Sequence, residues 1–130
     1  MGTWSAEPFG NDSAADWAFE LDDAEDWTLV RVALDDLLAI DGPDQDIETI
    51  AIAAAEVVAH GLGKPTQQDP YVESVDEFVS RAGQPPVDLP ALAMRVLDRV
   101  ASESELEELW EDDVDEWKAA LARLRAVLSH

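Results

Sequence analysis

Apolar residues recur along this chain at intervals of three and four positions, which places them on one face of an α-helix. The pattern is clearest over residues 89–100, where six of the apolar side chains share one stripe. Capping residues at the starts, and glycine or proline at the ends, separate the periodic segments from one another. Together these signals predict helices over residues 12–21, 27–40, 46–62, 75–82, 89–100 and 104–129.

The segment 46–62 differs from the others because it is apolar nearly all the way round. Between Ile50 and Ala59 its only charged side chain is Glu56. A helix of this kind is a buried helix rather than a surface one, and its alanines would let neighbouring helices approach closely. No strand pattern of period two competes. We therefore predict an all-α fold, an irregular or orthogonal bundle of about six helices around this central buried helix.

The last predicted helix contains a single apolar seam that runs from Leu106 to Leu128. Three successive acids, Glu111 to Asp113, lie within this segment. They favour a break in the helix, because like charges repel and Asp is a poor helix former. The sequence leaves open whether 104–129 is one helix or two.

The chain has the length of one domain, so residues 1–130 are expected to form a single unit, with residues 1–11 as an ordered N-terminal arm. The first twelve residues lack the basic region and apolar run of a signal peptide. No segment is apolar over the 18 or so residues that a membrane span needs. These features predict a cytoplasmic protein.

Charge is the most extreme feature of the composition. Thirty acidic residues against eight basic ones give a net charge of −22. Such a surface repels nucleic acid and anionic membranes, and it attracts basic proteins or cations. The alternative is that the charge only keeps the protein soluble. There is no cysteine, which excludes disulfides and thiolate chemistry.

The N-terminal block carries a resemblance to a known family. Gly2-Thr3-Trp4, Pro8-Phe9, Asn11-Asp12 and Asp16-Trp17 stand in the order of that block, and the run 53–58 and the segment 104–117 are also similar. In these stretches the chain resembles a bacterial family called domain of unknown function 4259. Ser5 departs from the glycine expected there. The resemblance implies a small acidic helical domain and brings no activity, cofactor or catalytic residue with it. The aromatic and polar residues that mark it are expected to be structural: Trp4, Phe9, Asn11, Asp12, Trp17, Glu56, Trp110 and Trp117.

Two pairs of side chains have the spacing of cation ligands. Asp12 and Asp16 stand at i and i+4, as do Glu56 and His60, so each pair lies on one helical face. The first pair is better explained by an N-cap with favourable dipole charges and a tryptophan in the core, and the second lacks acids from another helix. These four residues are the weak metal candidates.

Glu56 has a second interpretation, because a carboxylate inside a buried helix must be paired, hydrogen-bonded or protonated. It could act as a general acid or base, but the favoured interpretation is a structural acid that accepts hydrogen bonds from N-terminal backbone amides, a tryptophan N–H or an arginine. Such a bond would hold the N-terminal arm to the core. The chain has no nucleophile elbow, P-loop or dinucleotide fingerprint, and of its two histidines, His130 is terminal. We predict no catalytic residue and no cofactor, and an enzyme is the less favoured reading.

The leading functional hypothesis is a non-enzymatic interaction module that presents acidic faces to a basic protein, as an inhibitor or immunity protein would. A divalent-cation-binding protein or metal-dependent enzyme, and an acidic domain with no charge-specific partner, are the alternatives. The oligomeric state stays open. The predicted interaction residues are Asp22, Asp23, Glu25, Glu103, Glu105, Glu107, Glu108, Glu111, Asp112, Asp113, Asp115 and Glu116.

Overall fold

The computed structural model describes residues 12–39, 45–63, 73–103 and 114–128. These ranges form helices and turns without any strand, which confirms the all-α class. The predicted N-terminal arm, residues 1–11, and the segment 104–113 lie outside the described residues. The helices are α1 (Asp12–Leu21), α2 (Thr28–Ala39), α3 (Gln45–Gly61), α4 (Glu73–Ala82), α5 (Leu89–Glu103) and α6 (Val114–Leu128).

The predicted caps explain where α2 and α5 begin. The Asp26 carboxylate accepts a 3.0 Å hydrogen bond from the backbone N–H of Thr28, as an N-cap does. This bond lowers the pKa of Asp26. The carbonyl of Asp88 accepts the N–H of Leu92 at 3.1 Å, which begins α5 at Leu89 as predicted. α4 differs from its prediction: it begins at Glu73, so Ser74 lies within the helix and does not precede it as an N-cap.

Helix α3 is buried along most of its length and contacts each of the other five helices. Every residue from 51 to 60 is buried, and the alanines among them keep the helix narrow. The helix closes with hydrogen bonds from Leu62 N–H to the Val58 carbonyl and from Gly63 N–H to the His60 carbonyl. Gly63 has a φ of 77°, a left-handed conformation that favours glycine at a helix C-terminus.

Buried side chains from all six helices form one hydrophobic cluster. Leu121, Leu124 and Leu128 of α6 are buried, as the C-terminal part of the predicted seam requires. The N-terminal part of that seam, from Leu106 to Trp110, lies outside the described residues. Within the described ranges, none of the helices combines the length and hydropathy needed to cross a bilayer.

Arginine side chains join helices that are far apart in sequence. Arg31 of α2 forms a bidentate salt bridge with Asp88, in which Nη1 and Nη2 donate to the two carboxylate oxygens at 2.7 and 2.9 Å. Arg99 donates to the carbonyl of Leu38 at 3.0 Å, and Arg125 pairs with Asp98 at 2.6 Å. A guanidinium at a helix C-terminus satisfies carbonyls that have no partner within the helix and complements the helix dipole.

The end of α3 packs at unusually short range against Trp27, the residue before α2, and against Pro85. A Cβ atom added to Gly61 would lie 2.7 Å from Cη2 of Trp27 and 2.9 Å from Cδ of Pro85. Trp27 also makes a T-shaped contact with Phe78 of α4, with ring centroids 5.0 Å apart and an interplanar angle of 76°. The absence of a side chain at position 61 therefore lets three segments meet at one point.

Gly61→Ala is expected to lower the free energy of unfolding by about 1–3 kcal/mol, the usual cost of overpacking a core. In a solvent-exposed helix the same substitution stabilises, so the sign separates packing from helix propensity. Urea unfolding of the wild type, Gly61→Ala, Trp27→Phe and the double variant measures the coupling.

The double variant tests the stated cause directly. Trp27→Phe removes the ring atoms nearest to position 61, so Gly61→Ala should cost less in that background, although Pro85 keeps part of the clash. Gly63→Asn serves as the control, because no atom lies within 4 Å of a Cβ there and Asn tolerates a left-handed backbone. Equal costs in both backgrounds would contradict the proposed clash.

Candidate functional site

The buried helix α3 contains polar side chains that the core must accommodate. Glu48, Thr49, Glu56 and His60 are all buried, and Glu56 has no exposed surface. Burying an ionisable group costs free energy unless charge or hydrogen-bonding partners compensate for the lost water. The sequence-based prediction that Glu56 lies in the core agrees with this burial, and the question becomes which groups compensate for it.

His60 stands between two carboxylates. Its Nε2 lies 2.8 Å from Oε2 of Glu56, one turn earlier on α3. Its Nδ1 forms a 2.9 Å hydrogen bond with Oδ1 of Asp76, which α4 brings in from the other side. The Nε2 contact is an ion pair at short distance rather than an aligned hydrogen bond, because the N–H does not point along it.

The three side chains form a line from solvent to core. The Asp76 side chain is 67% exposed, that of His60 is 2% exposed, and that of Glu56 is fully buried. A neutral imidazole has one N–H and one lone pair, so it can donate to only one of two flanking carboxylates. The arrangement therefore favours the imidazolium, whose Nδ1–H donates to Asp76 and whose positive charge lies beside the carboxylate of Glu56.

The pKa of His60 reflects two opposing influences. Burial lowers it, but Glu56 and Asp76 together outweigh burial, through hydrogen bonding and charge, and the net pKa lies above its usual value of 6.5. The position of His60 in the last turn of α3 acts in the same direction, since the C-terminal end of a helix dipole favours a cation. The site thus holds a proton more firmly than a solvent-exposed histidine does.

The geometry does not resemble a metal centre. Glu56 and Asp76 approach opposite edges of the imidazole, so the three groups do not converge on one point. Among the described side chains, no three His, Cys, Asp or Glu groups are placed to hold a metal ion. Asp16 is exposed on α1, and the side chain of Asp12 lies outside the described part of the chain. We assign no metal ligand, and the sequence-based cation site stays a prediction.

A groove of about 320 Å³ opens beside the C-terminal end of α3. Among the described residues that line it, none has a side chain that can act as an acid, base or nucleophile, and Gln84 contributes the one polar side chain. The groove is lined by Gly61, Leu62, Gln84, Pro85, Pro86, Val87 and Pro90.

Part of the predicted acidic surface is visible on the turn between α1 and α2. Asp22, Asp23 and Glu25 are exposed there, together with Glu20 and Asp26. Phe19, at the same end of α1, is 65% exposed. The structure describes the backbone but not the side chains of Glu103, Asp115 and Glu116. The remaining predicted interaction residues lie outside the described residues: Glu105, Glu107, Glu108, Glu111, Asp112 and Asp113.

The structure describes only some of the residues expected to be structural. Trp17 is buried, as is Glu56. Trp4, Phe9, Asn11 and Trp110 lie outside the described residues, as does the side chain of Trp117. The hypothesis that Glu56 holds the N-terminal arm therefore stays a prediction.

Sequence reasoning paired Glu56 with His60 but missed Asp76. The i, i+4 spacing identifies neighbours on one helix, whereas Asp76 reaches His60 from a helix sixteen residues further along the chain. No local pattern marks such a contact. The only hint in the sequence was that a buried acid and a buried histidine on the same face require further polar partners.

Glu56→Gln is expected to lower the free energy of unfolding by about 1–3 kcal/mol, because it leaves the buried imidazole without its buried counter-charge. It should also lower the pKa of His60, which NMR titration of the imidazole measures. Since the folded-state pKa of His60 is raised, the stabilisation is fully present below about pH 6.5 and is lost as the pH rises through that pKa.

The pH dependence separates this cause from a general packing defect. The stability difference between the wild type and Glu56→Gln should shrink as His60 deprotonates. Glu77→Gln makes the same charge change at an exposed position of α4, and its effect should stay within about 0.5 kcal/mol. An unchanged melting temperature in Glu56→Gln would show that the pair does not stabilise the fold.

Comparison with known proteins adds a family to these observations. No curated protein and no solved structure matches the chain. The family described as Domain of unknown function (DUF4259) matches residues 2–120, which is most of the chain and includes every helix from α1 to α5. The protein therefore belongs to the DUF4259 family.

Proposed function

We propose that this protein is a non-enzymatic interaction module that presents an acidic surface to a basic protein partner. The observation that carries the proposal is the way the arginines are used. Arg31, Arg81, Arg99 and Arg125 each bind a group on another part of the fold. None of these four arginines pairs with the exposed carboxylates of the α1–α2 turn in the contacts described.

Arg81 illustrates this use most clearly. It lies beneath the acidic turn, where its guanidinium could have paired with a carboxylate. Instead, Nη2 donates to the carbonyl of Leu21 and, at 3.1 Å, to that of Ala24. The cation thus supports the backbone of the turn, while the carboxylates of Asp22, Asp23 and Glu25 remain directed to solvent.

The turn is also ordered before any partner binds. Asp22, Asp23 and Ala24 donate backbone hydrogen bonds to the carbonyls three residues earlier, at 3.1–3.2 Å. An acidic surface held in one conformation loses less conformational entropy on binding than a disordered acidic tail does. Exposed Phe19 beside it adds an apolar contact for a partner with a mixed surface.

The chemistry of the partner follows from the charge. A net charge of −22 opposes binding to nucleic acid and to anionic membranes, and it accelerates encounter with a basic protein. Neutralising a nucleic-acid-binding protein, as an inhibitor or immunity protein does, is one form that this interaction takes in our proposal. We also propose that the protein acts in the bacterial cytoplasm, the location predicted in the sequence analysis.

The test is capture of partners from a lysate of the native host at low salt, followed by elution with a salt step and mass spectrometry. We expect a basic protein at stoichiometric ratio. Its affinity should fall steeply with ionic strength, because salt screens exposed charges. Binding that is indifferent to salt would contradict a charge-based interface.

Two charge-matched variants locate the surface. The triple change Asp22→Asn, Asp23→Asn and Glu25→Gln should weaken binding roughly tenfold and reduce its salt dependence. The control, Asp35→Asn, Asp36→Asn and Glu77→Gln, removes the same charge from exposed acids elsewhere. Equal losses in both would show that net charge acts rather than the turn, and no loss in the first would exclude the turn.

A further inference from the structure

Helix α4 is attached to its neighbours by polar contacts near both ends. Near its start, Asp76 binds the buried imidazole of His60 on α3. Near its end, Arg81 binds the carbonyls of Leu21 and Ala24 under the acidic turn. We propose that His60 is a proton-controlled latch: protonated, it holds the first turns of α4 against α3, and deprotonated, it releases them.

The latch follows from how many protons the site holds. As an imidazolium, His60 donates Nδ1–H to Asp76 and attracts the nearby carboxylate of Glu56 through its positive charge. When one proton leaves, a lone pair faces one of the two carboxylates, and that contact turns from attraction to repulsion. The contact that gives way is the one with Asp76, because an exposed carboxylate regains water readily and the fully buried Glu56 cannot.

The charged groups that face His60 come from the two helices it joins. Glu56 faces it from α3 and Asp76 from α4. No described charged side chain of α1, α2, α5 or α6 contributes to its protonation. Within the described part of the chain, the contact between α3 and the start of α4 therefore contains one titrating cation between two anions.

Release of the latch leaves the fold intact. Val75 and Phe78 of α4 stay buried in the core, and Phe78 keeps its T-shaped contact with Trp27. Deprotonation therefore loosens the first turns of α4 without detaching the helix. Because Arg81 lies on the same helix, a looser α4 also weakens the support of the α1–α2 turn. This last consequence for partner binding rests on the function proposed above, whereas the latch itself requires no partner.

Hydrogen–deuterium exchange of the full chain, without any partner, tests the latch. Labelling times are scaled to the intrinsic amide exchange rate at each pH, from about pH 5.5 to about pH 8.5. We expect the amides of α4 to lose protection roughly twofold to fivefold as His60 deprotonates, the effect of losing one partly exposed charge contact. Protection of α2 and α5 should not follow this titration, and NMR of the His60 ring supplies its midpoint.

Two variants decide the cause. Asp76→Asn keeps the shape of the side chain and removes its charge, so α4 should exchange faster at low pH and lose its pH response. Glu77→Gln, the next residue on the same helix, makes the same charge change and should behave as the wild type. The latch is overturned if α4 protection stays constant while the His60 ring titrates, or if Asp76→Asn keeps the wild-type response. Neither result depends on whether a basic partner exists.

Discussion

The burial of α3 is the constraint on which the rest of the structure depends. Ten consecutive residues, Ala51 to His60, are shielded from solvent, so every surface of this stretch must be covered by another element. Small side chains let the covering helices come close, and Gly61 extends that close approach to the indole of Trp27. The indole Nε1 of Trp27 is itself buried, without an acceptor in the described part of the chain, which costs free energy.

The same burial strengthens the interactions between the polar residues of α3. An exposed Glu–His pair at i and i+4 would contribute a few tenths of a kcal/mol and titrate without structural effect. When the pair is buried, Glu56 favours the protonated form of His60. The imidazolium also binds Asp76, and this contact joins α3 to α4. A local feature of one helix thereby becomes a contact between two helices, and its strength depends on pH.

Regular periodicity is what made the helices predictable. The stripe of α5 and its cap at Asp88 located that helix to within a residue of its observed start, and the single charge in an apolar run identified Glu56 as buried. The start of α4 was placed two residues late, because Ser74 and Glu77 match a capping box but lie inside the helix. Capping patterns depend on local spacing, which a helix interior can satisfy by chance.

Contacts between distant residues escaped the sequence analysis for a different reason. Asp76 and the helix-joining arginines meet their partners only after the chain has folded back on itself, so their identity depends on how the helices pack. The close approach of Trp27 to Gly61 is of the same kind. A glycine at the end of a helix is ordinary punctuation in a sequence. Only the packed structure shows that a ring occupies the space a side chain would need.

The arginine contacts also bear on the order in which the chain can finish folding. Arg81 binds Leu21, which lies 60 residues earlier in the chain, and Arg99 binds Leu38, which lies 61 residues earlier. Arg31 binds Asp88, which lies 57 residues later. During synthesis, α1 and α2 therefore leave the ribosome with the carbonyls at their C-terminal ends lacking these partners. Those helices gain these contacts only when the segment 81–99 has been made, so this part of the helical fold depends on contacts of high sequence separation.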